Sequence, residues 1–410
     1  MARTCLFTFA LFTVCTAQKL VELNSFQGEN TKNYFSSTGT FGIYVSAYSD
    51  TANVLKQIFV VTDDQKQISL YDLKSKKLFQ TSGELQPYPV TQSAYVTTSL
   101  SSKQLSSLNG VMFVSTSKQL NDKNFHVYDI DTNHLVNLSG DLTVVFLNTH
   151  IDTSPIHSTL ISNWKQDENA IVFMYKQYPT DSAEQKNSQI FANPIIGYDW
   201  NKFSPTVETF SLSFKSFYIK THGSLQFNIG PGYYDVNGKT TTSYTTTGFY
   251  MKTANQSDRT ITIHTARDTK YTGKTGANTI GELSQGGKVD VGEYDNSNIQ
   301  YQDSTSFPPS TSIFFWTSRT IGETFQISST NAQSGYFCVQ YFVIQNSTPG
   351  QTTVLPGRQT TAQHGGPTLP PVTSQPGHQT SSHLETTTKI NSQIPNIFIS
   401  ILVLCLGYFY

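Results

Sequence analysis

Side chains able to do chemistry are scattered along this 410-residue chain. Among its nine histidines, His364, His378 and His383 lie in a Thr/Ser/Pro-rich stretch. They read as polar filler there, because a metal site needs convergent ligands. His126 and His134 flank Asp129 and Asp131, and the spacing predicts an exposed surface turn. Asp63 with Asp64, and Asp290 with Glu293 and Asp295, supply the oxygens that calcium favours, but without EF-hand spacing. No His-Glu-x-x-His, Gly-x-Ser-x-Gly, Walker loop or Gly-x-Gly-x-x-Gly is present. The stretch Gly281 to Gly292 lacks the Lys-Ser/Thr of a phosphate loop and reads as a hairpin loop. Ser, His and Asp are plentiful, yet no local signature of a triad accompanies them. Trp164, Trp200 and Trp316, with many tyrosines, are the raw material of a sugar platform. Trp316 follows Phe314-Phe315 and reads as core, and Trp200, in the expected linker, is the better surface candidate. The sequence therefore predicts no catalytic residue, no cofactor and no metal site, and the chain is read as not an enzyme.

The elements that would position these residues are strands. Phe210, Leu212 and Phe214 alternate with polar residues, as do Leu225, Phe227 and Ile229, and Ile261 and Ile263. That period of two marks half-buried strands. Further strands are predicted at 42–47, 57–62, 67–73, 110–116, 125–130, 142–147, 170–176, 248–252, 312–317, 323–328 and 335–345. Turn signals such as Asn109-Gly110 and Asn237-Gly238 separate them. No long 3.6-residue apolar period appears. The fold class is all-β, with two tandem β-sandwich domains of CUB-like or jelly-roll type. Domain one is 18–176 and domain two is 206–346. Residues 177–205, polar and proline-bearing, are the expected linker.

The ends carry their own signals. Met1-Ala-Arg3, an apolar run and Cys15-Thr16-Ala17 predict a signal peptide at 1–17, cleaved after Ala17. Residues 347–392 are rich in Thr, Ser and Pro and cannot bury enough surface to offset chain entropy. They predict a disordered, O-glycosylated stalk. The apolar tail at 393–410 predicts a glycolipid (GPI) attachment signal, with Ser381, Ser382 or a Thr near 387 as the candidate attachment residue. Three of the four cysteines fall in segments expected to be removed. The lone mature cysteine, Cys338, sits in an apolar strand pattern and is predicted to be a buried, inert thiol. Sequons at Asn137, Asn255 and Asn346 are candidate N-glycosylation sites at strand ends or loops.

The charge balance is −1, and charged residues make up only 13% of the chain. No basic excess exists to neutralise phosphates, so nucleic acid is not an expected partner. An aromatic content of 13% argues against a mostly disordered chain.

Leu142 to Leu147 is followed, after a polar loop, by Ala170 to Tyr175. Ser312 to Trp316 is followed in the same way by Gly335-Tyr-Phe-Cys-Val-Gln-Tyr341. This paired ending resembles the close of a CUB domain. The layout from signal peptide to apolar tail resembles secreted nematode proteins with CUB-like domains, over roughly 18–346. The resemblance implies tandem CUB-like sandwiches and a part in innate immunity or pathogen defence. It departs from ordinary CUB domains in having no pair of cysteines, and Asn148 stands where a calcium-binding Asp often occurs. The expected function is that of an extracellular, cell-surface binding protein. It would be lipid-anchored on the outer face of the plasma membrane, with an extracellular protein or carbohydrate as ligand. The alternatives are a structural cell-surface or cuticle glycoprotein and a secreted hydrolase with a convergent site.

Overall fold

The computed structural model describes residues 19–345, apart from 38, 49–50, 79–82, 150–157, 181–187, 255, 267–272, 296–297, 307–311 and 319–320. The signal peptide, the stalk, the tail, Ala17, Asn255, Asn346, Ser381, Ser382 and the stalk histidines lie outside the described residues. The architecture below belongs to the unit spanning residues 1–353.

The all-β expectation holds. The chain first forms β1 (Lys19–Glu22), β2 (Asn33–Ser36), β3 (Phe41–Ala47), β4 (Ile58–Thr62), β5 (Gln67–Ser69), β6 (Tyr88–Val90), β7 (Ser93–Thr98) and β8 (Gly110–Val114). These make two sheets, an inner one ordered β1-β8-β3-β6 and an outer one ordered β2-β7-β4-β5. Phe41, Ile43, Val45, Val60, Val96 and Met112 fill the space between them. Among the described residues four short α-helices, α1 (Ala52–Leu55), α2 (Leu70–Ser75), α3 (Ser102–Leu105) and α4 (Ser117–Leu120), and a 3-10 turn at Leu23–Ser25 sit at the connections. Part of the expected strand at 67–73 is thus helical. Ser69 caps α2 by accepting the Asp72 amide at 3.0 Å, and this local bond favours a helix start over strand continuation.

A second sandwich follows from β9 (Phe125–Asp129), β10 (His134–Ser139), β11 (Leu142–Leu147), β12 (Thr159–Gln166), β13 (Ile171–Lys176), β14 (Gln189–Asn193), β17 (Phe210–Leu212), β18 (Ser216–His222) and β19 (Ser224–Pro231). Its inner sheet runs β14-β13-β18-β11-β9 and its outer sheet runs β10-β19-β12-β17. A small pair, β15 (Ile195–Ile196) with β16 (Asn201–Lys202), interrupts the sequence of strands. Phe146, Trp164, Phe191, Phe210, Phe217 and Phe227 form the aromatic centre of this core. The chain changes sheets at Gly140 and at Gly223. Both have φ of +95°, a conformation open to glycine at little cost. The two turns are joined by the Gly140 amide donating to the Gly223 carbonyl at 3.1 Å.

The third sandwich comprises β20 (Lys239–Thr240), β21 (Thr246–Lys252), β22 (Thr260–His264), β23 (Gly273–Glu282), β24 (Lys288–Asp295), β25 (Asn298–Ser306), β26 (Ser312–Thr317), β27 (Thr324–Thr330) and β28 (Tyr336–Gln345). Its near sheet is ordered β21-β28-β23-β26 and its far sheet β20-β22-β27-β24-β25. Tyr250, Trp316, Phe325, Phe337 and Tyr341 pack between them.

The described residues therefore hold three sandwiches where two were expected, and 177–205 is no linker. Phe210–Pro231 pair with strands on the other side of that stretch: β18 lies between β13 and β11, and β19 between β10 and β12. Polarity and prolines marked a surface path, but only long-range hydrogen bonding decides which strands share a sheet. Two smaller expectations change for the same reason. The turn after β23 leads to another sheet, so Gly281 to Gly292 spans a crossover rather than a hairpin. The paired endings each flank one antiparallel strand, β18 in the second sandwich and β23 in the third. That middle strand follows its pair in one case and precedes it in the other, so the chain path is not repeated.

Candidate functional site

Two places on the molecule gather polar groups in a way that bears on function. The first is the seam between the first and second sandwiches. The inner sheets face each other there through Tyr44, Val111, Phe113, Val127, Val145, Leu147, Tyr175 and Tyr218. Tyr175 and Tyr218 stack with centroids 4.7 Å apart. Burial in this layer raises the Tyr44 phenol to about 12. The free edge of β9 is covered as well: the Leu85 amide donates to the Val127 carbonyl at 2.8 Å, and the Asp129 amide to the Gly83 carbonyl at 2.7 Å. Such covering is a common way of closing an exposed sheet edge.

At one end of the seam lies an ionic cluster. Asp129 is fully buried. Its Oδ1 accepts from Ser46 Oγ at 2.6 Å and from the Asp131 amide at 3.1 Å. Lys77 Nζ stands 3.5 Å from Asp129 Oδ2. Lys74 Nζ pairs with Asp131 at 2.9 Å and also donates to the Ala47 carbonyl. Burial pushes the Asp129 carboxyl above its ordinary value, against the opposing pull of Lys77 and Ser46. A cleft of about 260 Å³ opens beside the cluster, lined by Tyr48, Tyr71, Lys74, Ser75, Lys77 and Asp131. Two ammonium groups are matched here by two carboxylates. An incoming anion would have to displace those pairs, so the arrangement serves to clamp the two sandwiches. Ser46 Oγ is fully buried and donates to Asp129, which leaves it no role as a nucleophile toward the cleft.

The expected surface turn at His126 and His134 is corrected by this geometry. β9 and β10 belong to different sheets, so residues 130–133 cross between layers. His126 Nδ1 meets Glu84 at 2.7 Å. His134 is buried and stacks on Tyr128, ring centroids 5.9 Å apart. Its Nδ1 is 2.9 Å from the Thr132 carbonyl, the geometry of an Nδ1–H donor, while Nε2 is buried without a hydrogen-bond partner among the described residues. Burial holds the imidazole below its ordinary value.

The acidic groups are spent on local bonds. Asp64 contacts Lys66 at 2.5 Å and accepts from Thr62, and these two partners hold its carboxyl at about 2. Glu293 is fully buried and accepts from the Gly322 amide at 2.5 Å. Asp295 accepts the Glu323 amide at 2.8 Å, and Asp290 pairs with Lys288 at 2.9 Å.

Trp164 and Trp316 are core residues. Trp200 is half-buried rather than a free platform, with Phe342 at 5.4 Å and Lys274 over its ring. Cys338 is fully buried and unpaired, and burial raises its thiol far above the ordinary value. An inert thiol is what that environment produces.

The second place is the outward face of the second sandwich. β10 buries His134, Val136 and Leu138 and exposes Leu135, Asn137 and Ser139. Asn137 thus lies within a strand, not at a strand end or loop as expected. It points to solvent because the period of two assigns it to the polar face. Sequence reading missed Ser46, Lys74 and Lys77, since nothing local ties residues so far apart.

Among the described residues no helix is long and apolar enough to cross a membrane. A family model described as a transmembrane glycoprotein matches residues 38–406. No curated protein matches the chain. Among solved structures, a subviral particle of VP2 from infectious bursal disease virus aligns at 9% identity. It covers 77% of this chain and 73% of that one, with a TM-score of 0.11. A point mutant of the same VP2 protein aligns at 8% identity over 78% and 75%, also with a TM-score of 0.11. Scores that low carry no argument about fold or activity.

Proposed function

The chain belongs to the transmembrane glycoprotein family, and from that premise we propose that it is a non-enzymatic glycoprotein of a cell surface or envelope. The family match across 38–406 carries this reading. Its three sandwiches form the displayed part, and its C-terminal region tethers it to the membrane, through a glycolipid that replaces the apolar tail or through that tail itself. Recognition of an extracellular protein or carbohydrate is the proposed task of the displayed part. An immune or defence setting is proposed with it, to be tested by a change in expression on microbial challenge. The exposed Asn137 supports the glycoprotein reading, because a glycan needs an asparagine reachable from solvent.

The test is surface labelling of intact cells that express the full chain, followed by treatment with a phosphatidylinositol-specific phospholipase. Labelled protein released by the enzyme makes the link a glycolipid. Labelled protein retained by the enzyme but extracted by detergent makes the apolar segment itself the anchor. Protein found only in the medium overturns membrane attachment, and protein inaccessible to the label overturns the surface reading.

A further inference from the structure

The outward face of the second sandwich carries a groove on the same side as Asn137. Its volume is about 450 Å³, and its floor and walls include Asn133, Leu135, Leu160, Ser162, Asn228 and Gly230. Leu135 precedes Asn137 by two residues on β10, and a strand advances about 7 Å over that interval. Across the sheet, Asn137 pairs with Gln226 and Leu135 with Asn228. The groove thus begins one outward position from the sequon. Gly230 helps to form it: a Cβ there would come within 1.8 Å of Asn133 Oδ1, so only glycine lets Asn133 lie across the strand.

The chemistry of the groove is specific. Leu135, 52% exposed, and Leu160 supply apolar surface. Asn133, Asn228 and Ser162 supply amides and a hydroxyl. Among the described residues no Lys, Arg, Asp or Glu lines it, and His134 and Ile229 complete the lining. A neutral ligand with an apolar face and hydroxyl edges matches that lining, which is the character of a sugar ring. The sequon is also poised: Asn137 Oδ1 accepts from Gln226 Nε2, while Nδ2, the atom that carries an N-glycan, makes no hydrogen bond among the described residues. Ser139 faces outward with it.

We infer that Asn137 carries an N-linked glycan and that the first sugars of this glycan lie in the groove. The glycan then covers exposed Leu135 and shields β10, the edge strand of its sheet, from pairing with other chains. The inference rests on the glycoprotein reading and adds to it the seat that the sugar occupies.

The experiment uses the full chain produced in glycosylating cells. Site-resolved mass spectrometry reads occupancy at Asn137, Asn255 and Asn346. The rate at which a peptide N-glycosidase removes the Asn137 glycan is then compared in native and unfolded protein. A seated glycan is released about tenfold more slowly from native protein, the factor that corresponds to about 1.4 kcal/mol of contact. Asn228→Trp, which fills the groove, and Leu135→Ser, which strips its apolar wall, are each expected to restore fast native release. Both changes fall on an outward face, and an unchanged unfolding midpoint confirms that each variant folds. Ser139→Ala removes the glycan yet keeps the Asn137–Gln226 bond, and is expected to increase self-association. Equal release rates in native and unfolded wild-type protein overturn the seat. An empty Asn137 beside an occupied Asn255 or Asn346 overturns this inference and leaves the glycoprotein reading standing. Three empty sequons overturn both.

Discussion

The two sheets of the second sandwich share one core but differ on their other faces. In the inner sheet, β11 reads Val144-Val145-Phe146-Leu147 and is buried on both sides. Val144 and Phe146 enter the sandwich core, while Val145 and Leu147 enter the seam with the first sandwich. In the outer sheet, β10 alternates strictly between buried and exposed residues. One strand pattern ends the stack at solvent and the other continues it. The same rule governs β28, where Phe337, Val339 and Tyr341 face the third core. Its other face meets the second sandwich: Cys338 joins that core, and Gln340 bonds both the amide and the carbonyl of Ala192 at 3.1 and 2.7 Å. A strand covered on both faces is apolar in nearly every position, and one covered on a single face alternates.

The sharpest way to break this comparison is to hollow the seam. Phe113 is fully buried between Tyr44 and Phe125. Phe113→Ala is expected to cost about 3–5 kcal/mol, the usual range for a buried aromatic ring, read from denaturant unfolding. A drop of less than 1 kcal/mol would mean that the inner sheets do not pack as described. The ionic clamp comes next. Lys74→Met removes the partner of Asp131 and the donor to Ala47, at a cost of about 3 kcal/mol because a largely buried carboxylate loses its cation. An unchanged midpoint would show that the cluster does not join the sandwiches.

Acid sensitivity gives a third, smaller test. The folded state holds the His134 imidazole below its ordinary value of 6.5, so the unfolded chain binds the proton more readily. Stability is therefore complete above about pH 6.5 and declines as pH falls from there toward the folded value. A protonated ring would also place an N–H on Nε2, which has no acceptor among the described residues. His134→Phe, which keeps the stack on Tyr128, is expected to flatten the decline across that window in a pH series of melting curves. A slope identical to that of the wild type would remove His134 from the account. The smallest effect belongs to the solvent side. In protein lacking glycans, Leu135→Ala is expected to change stability by no more than about 0.5 kcal/mol, as for most exposed positions. A loss comparable to that of Phe113→Ala would erase the distinction between the two faces.

Particular residues show how much was legible beforehand. Alternation in 210–214, 225–229 and 261–263 placed strands where they occur, and Gly335 to Ile344 announced a buried strand with Cys338 inside it. The first reading rests on a period of two and the second on a continuous apolar run, and each strand carries its pattern in itself. Asp129 reads as a turn residue, since nothing within five positions shows that Ser46 and Lys77 enclose it. Residues 177–205 read as a linker because their composition is polar, although Ala192 is buried and bonded to Gln340 far along the chain, and Asn193 is buried between Gln166 and Ser204. The groove beside Asn137 needs Asn133, Leu160 and Gly230 from three separate stretches, so only its sequon was visible.

By itself the sequence determined the all-β class, the face each alternating residue takes and the inertness of the Cys338 thiol. Side-chain period, turn chemistry and hydrophobicity are properties of neighbouring residues. Tertiary structure alone decided the number of sandwiches, the partners of each strand, the clamp at the seam and the groove near the sequon. These depend on which distant segments meet, and no local pattern encodes the loop closures and hydrogen bonds that bring them together.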